Sequence, residues 1–581
     1  MYEGPAAPGP FAPQEWRSGS PAGGRGSRGP SPSRRGGTLI GRDGTSSRVR
    51  RHGVLGALLA CFAGCSSEYY RKDADTEVYT IVKEKQADAL GEAPAFSLDD
   101  FGGTPAATGE VLLLDMHECQ RLAATHSRSF QSERESLYLS ALSLTGDRHA
   151  YAPQLFARIA GSLRGNKEQS SGAVDSSGGI RKAWLWGLSS TVSIANTLLR
   201  SFTSNPQDVA ASTISVAITQ PLLRGFGPDI AGERLTQSER NVVYAVRSFE
   251  YARRTLAVDI SQAYLRALQL YDSVKNAEAN LTSTRTNFDR IAAQAEWGRV
   301  PLFQLDQAKT SVLSAEESVN RSRTSLKDGL DSLKLALGLP IEQQIELDTS
   351  ELALLTAMDV SELGLDSEEA IQIALNCRLD LLNRRDGLAD AQRTVVIAED
   401  QLRAQLDVSG RISIPTPDQR EAQRPGYFRT ERFTYDAGVD LDLPLDRKNE
   451  RNTYRRALID LERTRRNLVD AEERIRREVA VAYRTVDRAY RSYQIELASR
   501  DVARTRVEST QELIKWGRVE TRDLLEALDA DLRANNAVTA ALIEFRVAYL
   551  EFLYAIGILH VDDEGAYIDL AREEGDATSE G

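Results

Sequence analysis

The segment Trp297-Gly298-Arg299-Val300 recurs as Trp516-Gly517-Arg518-Val519, 219 positions later. Each copy interrupts a long run of helical, heptad-like sequence, and glycine suits a break between two helices because it accepts the left-handed backbone. The match extends outward at the same offset. Ala263-Tyr264 pairs with Ala482-Tyr483, Leu305 with Leu524, Ala308 with Ala527 and Gly338 with Gly557. An offset held constant over about 75 residues marks two copies of one long helical hairpin with equal arms.

The arms are long. From Asp229 to Trp297, and again from Glu450 to Trp516, the sequence is helix-compatible without a break, a reach of roughly 100 Å at 1.5 Å per residue. Val242, Val246, Phe249, Leu256, Ile260, Ala263, Ala267, Leu270, Val274, Ala277 and Leu281 keep three-four spacing, the seam of a coiled coil. After each Gly-Arg-Val a helix of about 40 residues returns, ending at Leu337-Gly338-Leu339-Pro340 or Ile556-Gly557-Ile558-Leu559.

Each repeat opens upstream with a capped helix, Leu114-Asp115 with Glu118 and Leu365-Asp366 with Glu369, now 251 positions apart. Period-two segments follow. Leu155, Ala157, Ile159, Gly161 and Leu163 alternate with Phe156, Arg158, Ala160 and Ser162, and Ile214, Val216 and Ile218 alternate with Ser215, Ala217 and Thr219. In the second repeat Leu406, Val408, Ile412 and Ile414 lie on one face of a strand. Phe433, Tyr435, Ala437, Val439, Leu441 and Leu443 form the apolar face of the next, opposite Thr434, Asp436, Gly438, Asp440 and Asp442. Two strands per repeat make four per chain. Such strands suit either a half-buried soluble sheet or a membrane barrel with lipid outside and water inside. Four strands alone leave open edges, which several chains together would remove. Loop one, 165–210, is long and contains the apolar stretch Trp184 to Leu199. Loop two, 415–430, is short and proline-rich.

Composition excludes several classes. The 581 residues carry a net charge of -12, which removes the basic face that nucleic-acid binding needs. There is no HExxH or CxxC, no phosphate-binding loop and no nucleophile set beside a base, so neither a metal, a cofactor nor an enzymatic reaction is expected. Four cysteines make no disulfide framework, and Cys119 and Cys377 read as free thiols. Residues 1–48 are rich in Gly, Pro, Ser and Arg. They read as disordered, or as lying upstream of the true start if Val49 is the initiator. Arg48, Arg50 and Arg51 then precede an apolar run to Gly64, a signal peptide over 49–64 too short to span a bilayer. Ala63-Gly64-Cys65-Ser66 is similar to a bacterial lipobox, with Cys65 the lipid acceptor and Cys61 the weaker candidate. A polar, irregular tether over 65–110 follows, then repeat one (111–340), a linker (341–364), repeat two (365–559) and an acidic tail (560–581).

The duplicated order of helix, β-hairpin ending in Pro-Leu (Gln220-Pro221-Leu222, Leu443-Pro444-Leu445), very long helix, glycine tip and return helix resembles the TolC-type outer-membrane efflux family over about 110–560. The resemblance implies a mainly α fold in which three chains close a twelve-stranded transmembrane β-barrel, four strands from each, above a periplasmic α-barrel of coiled coils. The linker and the C-terminal region would form a belt around it. It implies passive export of small molecules or proteins, driven by an inner-membrane pump that is reached through a periplasmic adaptor. The tips, Gly298, Arg299, Val300, Gly517, Arg518 and Val519, would dock that adaptor. Asp523 and Glu526, three apart on one helix face, would form acidic rings at the periplasmic constriction. The equivalent positions in repeat one, Gln304 and Gln307, depart from the family's acidic pattern. The rival class is a lipid-anchored periplasmic coiled-coil protein without a pore, which would share the helices but has no use for the strands.

Overall fold

The computed structural model describes residues 66–98, 109–165, 170–202, 209–357, 365–416, 428, 430–516, 518–562 and 565–567. Residues 71–581 form one compact unit, and residues 1–70 a second, of which 66–70 are described. The chain runs through α1 (Ser67–Leu90), β1 (Leu112–Leu114), α2 (Met116–His126), α3 (Arg128–Tyr151), β2 (Gln154–Gly165), β3 (Ser170–Ala183), β4 (Ser189–Ser201) and β5 (Val209–Pro221). It continues through α4 (Pro228–Ala231), α5 (Glu233–Glu296), α6 (Leu302–Leu337), β6 (Ile345–Leu347), α7 (Ser350–Ala357), α8 (Ser367–Cys377) and α9 (Leu379–Asp400). It closes with β7 (Gln405–Pro415), β8 (Thr434–Asp442), α10 (Lys448–Lys515) and α11 (Thr521–Ile556).

The repeat is visible in the core itself. Cys119, Ala123, Ile260, Tyr264, Leu333 and Leu337 are buried together where α2, α5 and α6 meet. Ala370, Ala374, Val479, Phe552 and Ile556 are buried together where α8, α10 and α11 meet, with Tyr483 packed against them. Each residue of one set sits 251 (opening helix) or 219 (hairpin) positions from its counterpart, so the two sequence offsets converge on one packing arrangement used twice. Both opening helices start as expected. Asp115 accepts from the Glu118 N–H at 2.6 Å, and Asp366 and Glu369 form a reciprocal capping box. The Cys119 thiol is fully buried, and that burial, reinforced by Asp115, Glu351 and Glu118, pushes its pKa up to about 12.

The four long helices lie side by side. α5 packs on α6 on one flank and on α11 on the other, and α11 packs on α10. The outer helices keep exposed apolar residues: Leu313 and Leu335 on α6, and Val481, Ile495 and Val502 at heptad spacing on α10.

Two expectations are corrected and one is filled in. First, the segment after Cys65 is not an irregular tether: α1 runs to Leu90. Val78, Ile81 and Val82 keep helical spacing and are buried against α3 and α5, and the Tyr138 hydroxyl donates to Asp75 at 2.7 Å. Second, the tail is ordered at its start. Val561 bridges to Tyr567, and the Tyr567 N–H donates to the buried Gln120 side chain at 2.9 Å. Third, among the described residues the sheet has six strands, in the order β2-β3-β4-β5-β7-β8, all antiparallel. The four expected strands are β2, β5, β7 and β8. Loop one supplies β3 and β4, which the low hydrophobicity of Ser170-Ser171-Gly172-Ala173-Val174-Asp175-Ser176 conceals.

In the linker, β6 pairs in parallel with β1, Leu112 opposite Ile345 and Leu114 opposite Leu347, which ties the start of repeat one to its end. Nearby, Gly338 ends α6 at φ +75°, and a Cβ there would lie 2.2 Å from the His126 carbonyl oxygen. At Gly298 φ is +68°, but nothing lies within 4 Å of that position. We expect Gly298→Ala to cost about 1 kcal/mol, the intrinsic penalty of a left-handed residue. Gly338→Ala should cost about 3 kcal/mol, because His126 must also move. Denaturant unfolding midpoints of the two variants measure the difference.

Candidate functional site: the tips and the membrane face

The two tips share one helix-ending hydrogen bond. α5 ends at Trp297. The Gly298 N–H donates back to the Ala295 carbonyl at 2.9 Å and the Arg299 N–H to the Gln294 carbonyl at 3.0 Å, the paired bonds of a Schellman helix end. Pro301 then opens α6, with its fixed φ at the helix boundary. In repeat two the Arg518 N–H donates to the Leu513 carbonyl at 3.1 Å, the matching bond. Gly517 lies outside the described residues, as does Cys65.

The tip is apolar and exposed. Trp297 is 81% exposed and Trp516 76% exposed, and Leu302 and Phe303 lie open beside the first. The indoles therefore do not pack on neighbouring helices. Arg299 and Arg518 are exposed as well, while Val300 and Val519 are half-buried. Sequence reasoning had singled out the Gly-Arg-Val triplets. The aromatic surface around them went unread, because an aromatic residue at a helix end is as easily packed as exposed.

The four constriction candidates fall into two kinds. Gln304 accepts from the Thr521 hydroxyl at 3.2 Å, a direct link between the tips of the two repeats. Gln307 is half-buried three residues further along α6. Asp523 accepts from the Glu520 N–H at 3.1 Å, within a capping box that starts α11. Glu526 pairs with Arg506 of α10 at 3.0 Å, both side chains about half exposed. Asp523 and Glu526 thus sit one turn apart on α11, each already engaged with its own hairpin. Arg506 and Thr521 are the partners that sequence reasoning missed. Arg506 lies across the second tip from Glu526, and Thr521 lies on the other hairpin from Gln304, so no local spacing reveals them.

At the other end of the molecule, strand register sorts the sheet into two faces. Leu155, Ile180, Val192, Val216, Ile412 and Tyr435 are successive cross-strand neighbours, one from each strand. All six are exposed. The opposite face is polar. Asp175 accepts from the Thr197 hydroxyl at 2.8 Å, and Ser193 and Ser215 share a hydrogen bond of 2.9 Å. Aromatic residues flank the apolar band at both ends. Trp184 and Trp186 occupy the β3–β4 turn beside the helices, with Lys182 3.9 Å from the Trp184 ring, and Phe202 and Phe433 lie at the far end. An apolar band between aromatic girdles is the signature of an outer-membrane strand. Among the described residues no helix is long and apolar enough to cross a membrane.

Residues 186–339, from the β3–β4 turn through the first tip to the end of α6, match the family model described as outer membrane efflux protein. Over that span the chain is similar to the outer membrane efflux proteins. No curated protein sequence matches it. Solved structures share the fold at low identity. The CmeC outer membrane channel of Campylobacter jejuni is 14% identical with a TM-score of 0.56, the match covering 79% of this chain and 88% of that one. The open-state MtrE outer membrane channel of Neisseria gonorrhoeae is 14% identical with a TM-score of 0.57, covering 76% and 89%. The outer membrane protein VceC of Vibrio cholerae is 14% identical with a TM-score of 0.54, covering 76% and 96%. The matched domain is described as that of an outer membrane efflux protein, and the fold is shared with solved outer membrane channels.

The local roles of the acidic pair can be separated by experiment. Asp523→Ala should cost about 1 kcal/mol, the usual worth of a helix cap, and should speed amide exchange at residues 520–524. Breaking the exposed Arg506–Glu526 pair should cost under about 1 kcal/mol. Hydrogen-exchange mass spectrometry of the two variants reads both effects.

Proposed function

We propose that three copies of this chain assemble into a lipid-anchored export duct, a β-barrel in the outer membrane continued by an α-barrel in the periplasm. The observation that carries this reading is the exposed apolar row from Leu155 to Tyr435, which crosses every strand of the sheet. Large apolar side chains in an unbroken row belong against lipid. A periplasmic coiled-coil protein without a pore would leave that row in water.

The trimer reading is supported at the helices. α6 and α10 are the outer members of the four-helix layer, and both carry unpartnered apolar residues. Packing α10 of one copy on α6 of the next would cover Ile495 and Val502 and close a twelve-helix tunnel. The outer-membrane end would be held by lipid on Cys65 after removal of 49–64, with residues 1–48 outside the mature protein. The helix-tip end would receive a periplasmic adaptor, and through it an inner-membrane pump that supplies the energy. Trp297, Leu302, Phe303 and Trp516, together with Arg299 and Arg518, form an apolar surface with a basic edge, suited to an amphipathic helical hairpin. Transport through the duct is passive. Asp523 and Glu526 from three copies would place two acidic rings at the periplasmic entrance, with Gln304 and Gln307 beside them.

Purified protein should run as a heat-dissociable trimer and conduct ions in planar bilayers. A soluble elongated species without conductance would overturn the duct. Arg299→Glu with Arg518→Glu should reduce co-purification with a periplasmic adaptor protein at least tenfold while leaving trimers in the outer membrane. Asp523→Ala with Glu526→Ala should lower the cation-to-anion permeability ratio measured from reversal potentials, and an unchanged ratio would remove the acidic rings from the model.

A further inference from the structure

Loop one does more than cap the sheet. Every residue of β2 is paired with β3, from Gln154 opposite Arg181 to Gly165 opposite Ser170. β3 is paired with β4 from Ala183 opposite Ser189 to Ser171 opposite Ser201, and β4 with β5 from Ser189 opposite Thr219 to Leu199 opposite Val209. The β3–β4 hairpin is therefore intercalated over its whole length between β2 and β5. Its apolar residues Val174, Ile180, Val192, Ile194 and Leu198 fall on the same face as those of its neighbours, and all are exposed. Gly179 lets the two strands approach: a Cβ there would lie 2.2 Å from the Val192 carbonyl oxygen. The turn between them is also fixed. The Gln220 side chain donates to the Trp186 carbonyl at 3.2 Å, and Gly187 lies against Pro221 and the Gly225 carbonyl.

The sheet has two free edges, β2 and β8. Neighbouring strands alternate in direction, so after six strands β8 runs opposite to β2. The β8 edge of one copy thus presents an antiparallel partner to the β2 edge of the next. In lipid those edges cannot remain unpaired. We propose that β8 of each copy pairs with β2 of the next, so that three copies close an eighteen-stranded barrel and not a twelve-stranded one. The β3–β4 hairpin sets its bore. This rests on the trimer argued above. Barrel diameter grows roughly in proportion to strand number, so the outer-membrane section is about 1.5-fold wider than a twelve-stranded one, with about twice the cross-section. Most side chains on the water-facing side of the added strands are small, among them Ser171, Ala173, Ser177, Thr191, Ser193 and Ala195, with Asp175, Arg181 and Leu199 the larger ones, so the added strands widen the lumen more than they refill it. Barrels of roughly 16–18 strands already hold aqueous channels.

The full-length trimer in lipid nanodiscs should show eighteen strands by single-particle electron microscopy. Deleting residues 166–202, which joins β2 to β5 through the remaining loop, should leave a trimer with twelve. Should that variant fail to assemble, the full-length chain carries a second readout. Arg158 and Ser177 are cross-strand neighbours on the polar face. Arg158→Cys with Ser177→Cys, in a chain whose Cys119 and Cys377 are replaced, should form an intrachain disulfide in isolated outer membranes. A trimer with twelve barrel strands, or a trimer without that disulfide, overturns the inference and leaves the duct standing. A chain that does not trimerise overturns both.

Discussion

A β-sheet exposed to lipid cannot keep an unpaired edge, because no water is there to satisfy its N–H and C=O groups. This chain has two such edges, at β2 and β8, set apart by four intervening strands. The rest of the molecule is consistent with that demand being met by further copies. The four long helices form an open layer with apolar outer members, so sheet and helices are incomplete in the same direction. On the reading proposed above, a single chain is half of every interface it needs, and oligomerisation is a condition for insertion and not a later refinement of it.

The duplicated core supplies the rigidity that such an assembly needs. Two opening helices, one per repeat, wedge against two hairpins at equivalent positions, and Tyr264 and Tyr483 occupy corresponding places. The break after α2 and the break after α8 are each closed by the glycine that ends a return helix. Gly338 lies against His126, and Gly557 lies against Arg378. Arg378 is nearly buried there. Burial opposes its charge, but the ion pairs with Asp380 at 2.9 Å and Glu478 at 2.8 Å outweigh it and raise its pKa. Helix ends, which elsewhere fray, are here pinned to the next element. This fixes the angle at which each long hairpin leaves its opening helix.

Much of this was legible before any coordinates. The 219-residue offset, the paired caps at Asp115 and Asp366, and the three-four spacing from Val242 onward all follow from periodicities with one physical solution each. The strands of strong alternation were equally plain. What escaped were elements whose signal is weak in any single-chain reading. β3 carries only Val174 and Ile180 as large apolar residues, and its many Ser and Gly residues read as loop. α1 has a short apolar stripe in a polar helix, and its burial depends on α3 and α5, far away in the sequence. The tip contacts Gln304–Thr521 and Arg506–Glu526 cross between helices, so their existence depends on tertiary placement.

The two repeats have diverged at opposite ends of the molecule. Among the described residues only repeat one holds an inserted hairpin, β3–β4, and its tip has Gln304 and Gln307. Repeat two kept a short hairpin and has Asp523 and Glu526 at its tip. The division has a physical logic. Bore is set by strand number, and one insertion in either repeat changes it three times over in a trimer. Under the gate proposed above, carboxylates on both tips would crowd six like-charged pairs into one opening, with the repulsion that entails. Neutral glutamines on one tip, with Gln304 bound to Thr521 of the other, would let the hairpins approach closely while a single set carries the charge. Width and closure would then rest on different halves of one chain, without disturbing the core they share.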